Sequence, residues 1–132
     1  MIQPILNKEG IAQLLAQKQA VLYFFVNWST YAQQGLQIIE EVESLLSNRD
    51  SSAATFWSAD ISDLDSPAVF VAEWLKQQET SDLKMFKPVG SGNGSVAWLK
   101  EGKVVDFALS AYLLRAQELM NRTKHNFGYG GT

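Results

Sequence analysis

The run "FFVNWSTYAQQG" at residues 24–35 sets three hydroxyls, Ser29, Thr30 and Tyr31, on a polar turn between an apolar stretch and an amphipathic one. A hydroxyl at a helix start lies among free backbone N–H groups and the positive end of the helix dipole, a setting that suits an anion or a polarised ligand. Ser and Thr are also the common caps of such a start, and both readings stay open. The chemistry that the turn lacks is better defined. The chain has no cysteine, and His125 is its one histidine. Thiolate nucleophiles, disulfides, Cys-ligated zinc, Fe–S clusters and sites built on a histidine pair are thereby excluded within one chain.

Other candidate sites read more simply. Asp60, Asp63 and Asp65 in "DISDLDSP" carry hard oxygen ligands, but without the glycine and distal glutamate of a calcium loop. Carboxylates ahead of a helix are stabilised by its N-terminus, so a solvated loop is expected and no metal. "GSGNGS" at 90–95 runs into a strand and not into a helix, which removes the phosphate-cradling geometry. His125 ends the last helical stretch, where the helix dipole or solvent accounts for it. Trp28 and Tyr31 flank the turn and suit either a contact surface or ordinary packing. No cofactor is expected.

Charge and hydropathy narrow the partners. The net charge is −3 and the Lys and Arg residues form no cluster, so no nucleic-acid partner is expected. The longest apolar run, "AVLYFFV" at 20–26, is too short to span a bilayer, and no membrane partner is expected. "MIQPILNKEG" lacks the basic flank and apolar stretch of a secretory signal, which gives a cytoplasmic location as the expectation.

The elements that must position the turn follow from periodicity. "IQPIL" at 2–6 suits an edge strand that tolerates Pro4. Asn7 can cap a helix over about 8–18. "AVLYFFV" does not alternate with polar residues, so it reads as a strand buried on both faces. Ala32, Leu36, Ile39, Val42 and Leu46 recur at steps of three and four, with Gln33, Gln34, Gln37, Glu40, Glu41 and Glu43 opposite, giving a helix over about 31–47. "SNRDSS" at 47–52 is a loop, and "ATFWSADI" at 54–61 a second interior strand. Ser66–Pro67 opens a helix to about 79, apolar nearly all round at "AVFVAEWL". Residues 80–94 read as irregular. "SVAWL" and "KVVDFAL" form a hairpin about "KEG", with Gly102 at the turn. Ser110 caps a last helix over about 111–124 bearing Leu113, Leu114, Ala116 and Met120. One domain over 1–124 and a mobile Gly-rich tail over 125–132 result. Alternating strands and helices imply an α/β fold with helices on both faces of a mixed sheet of four or five strands.

This order resembles the thioredoxin family. The family's buried strand ends in Trp-Cys-x-x-Cys; "VLYFFVNW" at 21–28 matches that strand, and "STYA" at 29–32 occupies the Cys-x-x-Cys positions. The family's later hairpin reads apolar strand, Lys-x-Gly, apolar strand, and "VAWLKEGKVVDF" at 96–107 is similar to it. The resemblance covers about residues 8–122 and implies a three-layer α/β/α thioredoxin-like fold. It also shows what has been replaced. Ser29 and Ala32 stand for the two cysteines, Gly94 for the cis-proline beside them, and Tyr23 for a buried Asp that assists proton transfer in many members.

Thiol–disulfide exchange requires thiolates to attack and to leave, and neither Ser29 nor Ala32 can supply one. The expectation is therefore a non-enzymatic, redox-inactive member that binds a protein partner through Trp28, Ser29, Thr30, Tyr31, Ala32, Asn93, Gly94 and Ser95. The rival is a binder or enzyme of a small thiol or anion such as glutathione, with Ser29 or Tyr31 polarising the ligand. A homo-oligomer built on the apolar helix after Pro67, with Phe70 and Trp74, is the third reading.

Overall fold

A computed structural model of the chain describes residues 2–49, 54–60, 62, 94–108 and 110–128. Its elements in chain order are β1 (Ile2–Pro4), α1 (Lys8–Leu15), β2 (Gln19–Phe25), α2 (Thr30–Arg49), β3 (Thr55–Asp60), β4 (Val96–Lys100), β5 (Lys103–Ala108) and α3 (Ala111–Phe127). The five strands form one sheet in the order β1-β3-β2-β4-β5. β3 runs parallel to β1 and β2, while β4 and β5 are antiparallel additions on the other side of β2. The mixed sheet expected from the alternation of elements is thus present, with β2 at its centre. The helix expected after Pro67, and residues 80–93 of the irregular stretch expected over 80–94, lie outside the described residues.

Both faces of the sheet are covered. Ala20, Leu22 and Phe24 of β2 pack with Leu14 of α1, Trp57 and Leu99. Val21 and Tyr23, pointing the other way, pack with Ile39, Val42 and Leu46 of α2, with Trp98, and with Leu119 and Phe127 of α3. This explains why β2 reads as a continuous apolar run: alternate side chains enter two separate cores. Burial of Val21, Leu22 and Phe24 contributes about 1.5–3 kcal/mol each.

Local chemistry sets the ends of the elements. Asn7 Oδ1 accepts the Gly10 N–H at 3.0 Å and opens α1. That helix stops at Leu15, about three residues earlier than periodicity suggests, because the Lys18 carbonyl accepts the Glu101 N–H and β2 starts at Gln19. In the β4–β5 hairpin, Glu101 and Gly102 have φ of 53° and 79°, the pair of positive angles that fits the twist of a two-residue turn. A side chain at Gly102 would also approach the Leu15 carbonyl oxygen at 3.0 Å.

The C-terminal boundary differs from expectation. α3 runs to Phe127, three residues into the stretch assigned above to a mobile tail. Phe127 is buried in the second core, and its carbonyl accepts the Gln19 side-chain N–H at 3.1 Å. Gly128, at φ 74°, then closes the helix in the left-handed conformation. Leu113 also departs from the expected core stripe and is 71% exposed, whereas Glu43 on the supposed polar side is buried. Arg115, at φ 65° and ψ 167°, interrupts the helical backbone, so Ala111–Leu114 forms a turn set off from the rest of α3.

Asp106 on β5 ties α3 to the hairpin. Its carboxylate accepts from Arg122 Nε at 3.1 Å, Arg122 Nη2 at 2.7 Å and Asn126 Nδ2 at 2.9 Å. Partial burial raises its pKa, but the hydrogen bonds from Arg122, Asn126 and the Phe107 N–H, with the Arg122 charge, outweigh that and hold it below the ordinary carboxylate value. A lowered folded-state pKa gives stability that is complete above the ordinary carboxylate range, near pH 4, and is lost as pH falls through it. Asp106→Asn should cost about 1 kcal/mol at neutral pH and flatten the acid limb of stability below about pH 4. Urea titrations from neutral pH down that limb check both effects.

Candidate functional site

β2 delivers the chain to the polar turn, and three bonds fix the turn's shape. Ser29 N–H reaches the Val26 carbonyl at 3.4 Å, Gln33 Nε2 donates to the Asn27 carbonyl at 2.7 Å, and Asn27 N–H donates to Ser62 Oγ at 2.7 Å. Ser29 Oγ accepts the Ala32 N–H at 3.2 Å and its carbonyl accepts the Gln33 N–H at 3.0 Å, so Ser29 caps α2. Its side chain is buried. The hydroxyl that could have polarised a ligand is occupied in starting the helix.

The two aromatic residues of the turn both face solvent. Trp28 is 63% exposed and Tyr31 56% exposed. Tyr31 meets Tyr112, at the start of α3, with ring centroids 5.4 Å apart and planes tilted by 53°. With Leu113 beside it in sequence, Tyr112 (37% exposed) extends the apolar surface from the β2–α2 turn onto α3. Sequence reading passed over Tyr112 and assigned Leu113 to the core. The available signal was "AYLL" at 111–114, since three successive large apolar residues after a cap cannot all face one side of a helix.

Of the other expected site residues, Thr30 is exposed, whereas Ala32, Gly94 and Ser95 are buried and Asn93 lies outside the described residues. The structure does bring 29–32 and 94–95 together. A side-chain carbon on Gly94 would sit 3.2 Å from Ala32 Cα. Ser95 O accepts the Phe24 N–H at 2.9 Å and Gly94 O accepts the Ala111 N–H at 2.9 Å, so this loop is joined to both β2 and α3.

Tyr23 lies beneath this junction. It is fully buried, and its phenol donates to the Ala32 carbonyl oxygen. Burial pushes the phenol's pKa up, so it remains a protonated donor throughout the neutral range. A methyl on either Gly35 or Gly94 would overlap the phenol oxygen. Gly94 also has φ 73°, whereas a proline ring fixes φ near −65°. Thus Tyr23, Ala32 and Gly94, which stand at three of the replaced positions, are one packed unit.

Asp60 Oδ1 accepts the Ser62 N–H at 2.9 Å, and Asp63 and Asp65 lie outside the described residues. Among the described residues no three His, Cys, Asp or Glu side chains converge. No helix among them is long and apolar enough to cross a membrane.

The sheet order, the crossovers and the turn at 28–32 define the thioredoxin fold. Solved thioredoxins share it across nearly their whole length. The oxidised thioredoxin of Plasmodium falciparum superposes with a TM-score of 0.64 at 12% identity, over 96% of this chain and 98% of that one. Mitochondrial thioredoxin 3 of Saccharomyces cerevisiae gives 0.62 at 12%, over 94% of each. The thioredoxin of Fasciola hepatica gives 0.58 at 18%, over 93% and 100%. By sequence, no protein-family model and no curated protein matches. The chain keeps the architecture and, with no cysteine, cannot perform thiol–disulfide exchange.

Proposed function

We propose that this protein is a binding module on a thioredoxin scaffold, docking a protein partner on the face formed by Trp28, Thr30, Tyr31, Tyr112 and Leu113. Ser29, Ala32, Gly94 and Ser95 form the frame beneath that face. One observation carries the reading: Trp28 and Tyr31 are held out to solvent at 63% and 56% exposure, on a turn braced by Ser29 and Gln33. Large aromatics on a rigid support are favoured interface anchors, because little side-chain entropy is lost when they are covered.

The test is affinity capture with the wild type and with Trp28→Ala/Tyr31→Ala, each checked for an unchanged melting temperature. Any partner retained by the wild type should be lost, since each anchor contributes about 1–2 kcal/mol or more, together a hundredfold in affinity. Equal retention by the double variant would remove this face from consideration. The small-thiol reading has less support, because Ser29 is buried with its oxygen engaged by the Ala32 N–H. Calorimetric titration with glutathione should give no heat of binding.

A further inference from the structure

Between α2 and α3, next to the Tyr31–Tyr112 contact, lies an open groove of about 320 Å3 lined by Gln34, Gln37, Ile38, Glu41 and Tyr112. We propose that this groove receives an arginine side chain from the segment that docks on Trp28 and Tyr31, an inference that rests on that docking reading and names the partner's chemistry.

Charge complementarity carries it. Glu41 is exposed, and its carboxylate makes no ion pair or hydrogen bond with any described residue. α2 has no Lys or Arg between Thr30 and Asn48, and Arg115 of α3 does not line the groove. Among the described residues, the groove is therefore an acidic site with no cation of its own.

The remaining lining residues suit a guanidinium rather than a compact ammonium. The side-chain amides of Gln34 and Gln37 are likewise unengaged among the described residues, leaving their oxygens as acceptors beside the carboxylate. The half-open ring of Tyr112 offers a π face, and Ile38 offers apolar surface for the three-carbon stem. A planar fork with five donors can pair with Glu41, reach an amide oxygen and lie against the ring at once, whereas an ammonium cannot stack. Since Tyr112 touches Tyr31, the matching segment carries an apolar residue adjoining its arginine, the former on the Trp28–Tyr31 surface and the latter in the groove.

Isotope-labelled protein titrated with acetyl-Leu-Arg-amide tests this. The amide signals of Gln34, Gln37, Glu41 and Tyr112 should shift saturably, with a dissociation constant in about the millimolar range for so small a probe. The peptide with uncharged citrulline in place of arginine should bind at least about fivefold more weakly, and Glu41→Gln should reduce the arginine peptide to the citrulline level. No shift in those four residues, or equal binding of the two peptides, would overturn the inference. The two readings fail separately. Groove shifts that persist in a protein whose Trp28→Ala/Tyr31→Ala variant loses no partner support the groove and count against the docking face. Partner loss on that variant with a silent groove does the reverse.

Discussion

Trp98→Ala is expected to lower the unfolding free energy by about 3–5 kcal/mol, the largest effect of any single substitution described for this chain. Trp98 is fully buried on β4, where its ring fills the second core between β2, α2 and α3. Its indole N–H donates to Thr123 Oγ1 at 2.9 Å, and that hydroxyl donates onward to the Leu119 carbonyl at 2.8 Å. Arg122, already held by Asp106, stands over the ring at 4.9 Å. Removal of the ring therefore creates a cavity, leaves the Thr123 oxygen short of a donor and deprives Arg122 of its cation–π contact. Against a total stability of about 5–15 kcal/mol, such a loss lowers the melting temperature by more than about 10 °C. Trp98→Phe should cost clearly less, because most of the volume stays. A loss below about 1 kcal/mol for the alanine variant in urea titrations would contradict this account of the core.

Gly35→Ala should destabilise by about 1–3 kcal/mol, against the usual direction for a helix interior, where alanine is favoured over glycine by about 0.5–1 kcal/mol. The reason is Tyr23: the new methyl would overlap the phenol oxygen and lie 3.2 Å from the ring carbon that bears it. Tyr23→Phe removes that oxygen and should cost about 1 kcal/mol alone, through loss of the bond to the Ala32 carbonyl. In the Tyr23→Phe background the methyl is far better tolerated. A double-mutant cycle should show a coupling of about 1–2 kcal/mol. Strict additivity would mean that the phenol yields easily, and that Tyr23, Gly35 and Gly94 do not form one packed unit.

Several elements were legible before any coordinates because their determinants are local or periodic. The turn at 101–102 follows from "KEG", the caps at Asn7 and Ser110 from their side chains, and the inward stripe of α2 from its spacing. The buried β2 was readable because a strand covered on both faces cannot alternate. Two boundaries were missed where a distant part of the chain decides, and one side chain where the helical backbone itself breaks. α1 ends early because the hairpin turn needs the Lys18 carbonyl, 83 positions before Glu101 (101 − 18). α3 runs on through His125 to Phe127 because Gln19 and the second core hold its end. Leu113 turned outward although its residue type suits a core, because the helical backbone breaks at Arg115 and sets off the turn that carries it.

The sequence by itself determined the negative half of the chemistry. With no sulfur nucleophile at any position, dithiol exchange is excluded whatever the fold, since reactivity of that kind belongs to atoms that must be present. Only the tertiary structure decided what replaced it. Tyr23, Ala32, Gly35 and Gly94 come from a strand, a helix and a loop, and no spacing rule makes a phenol at 23 require glycine at 94. Exposure of Trp28 and Tyr31, burial of Ser29, and the arrival of Tyr112 beside Tyr31 likewise depend on how α3 crosses α2. Such facts are set by close packing between segments far apart in the chain, where one methyl more or less changes the outcome.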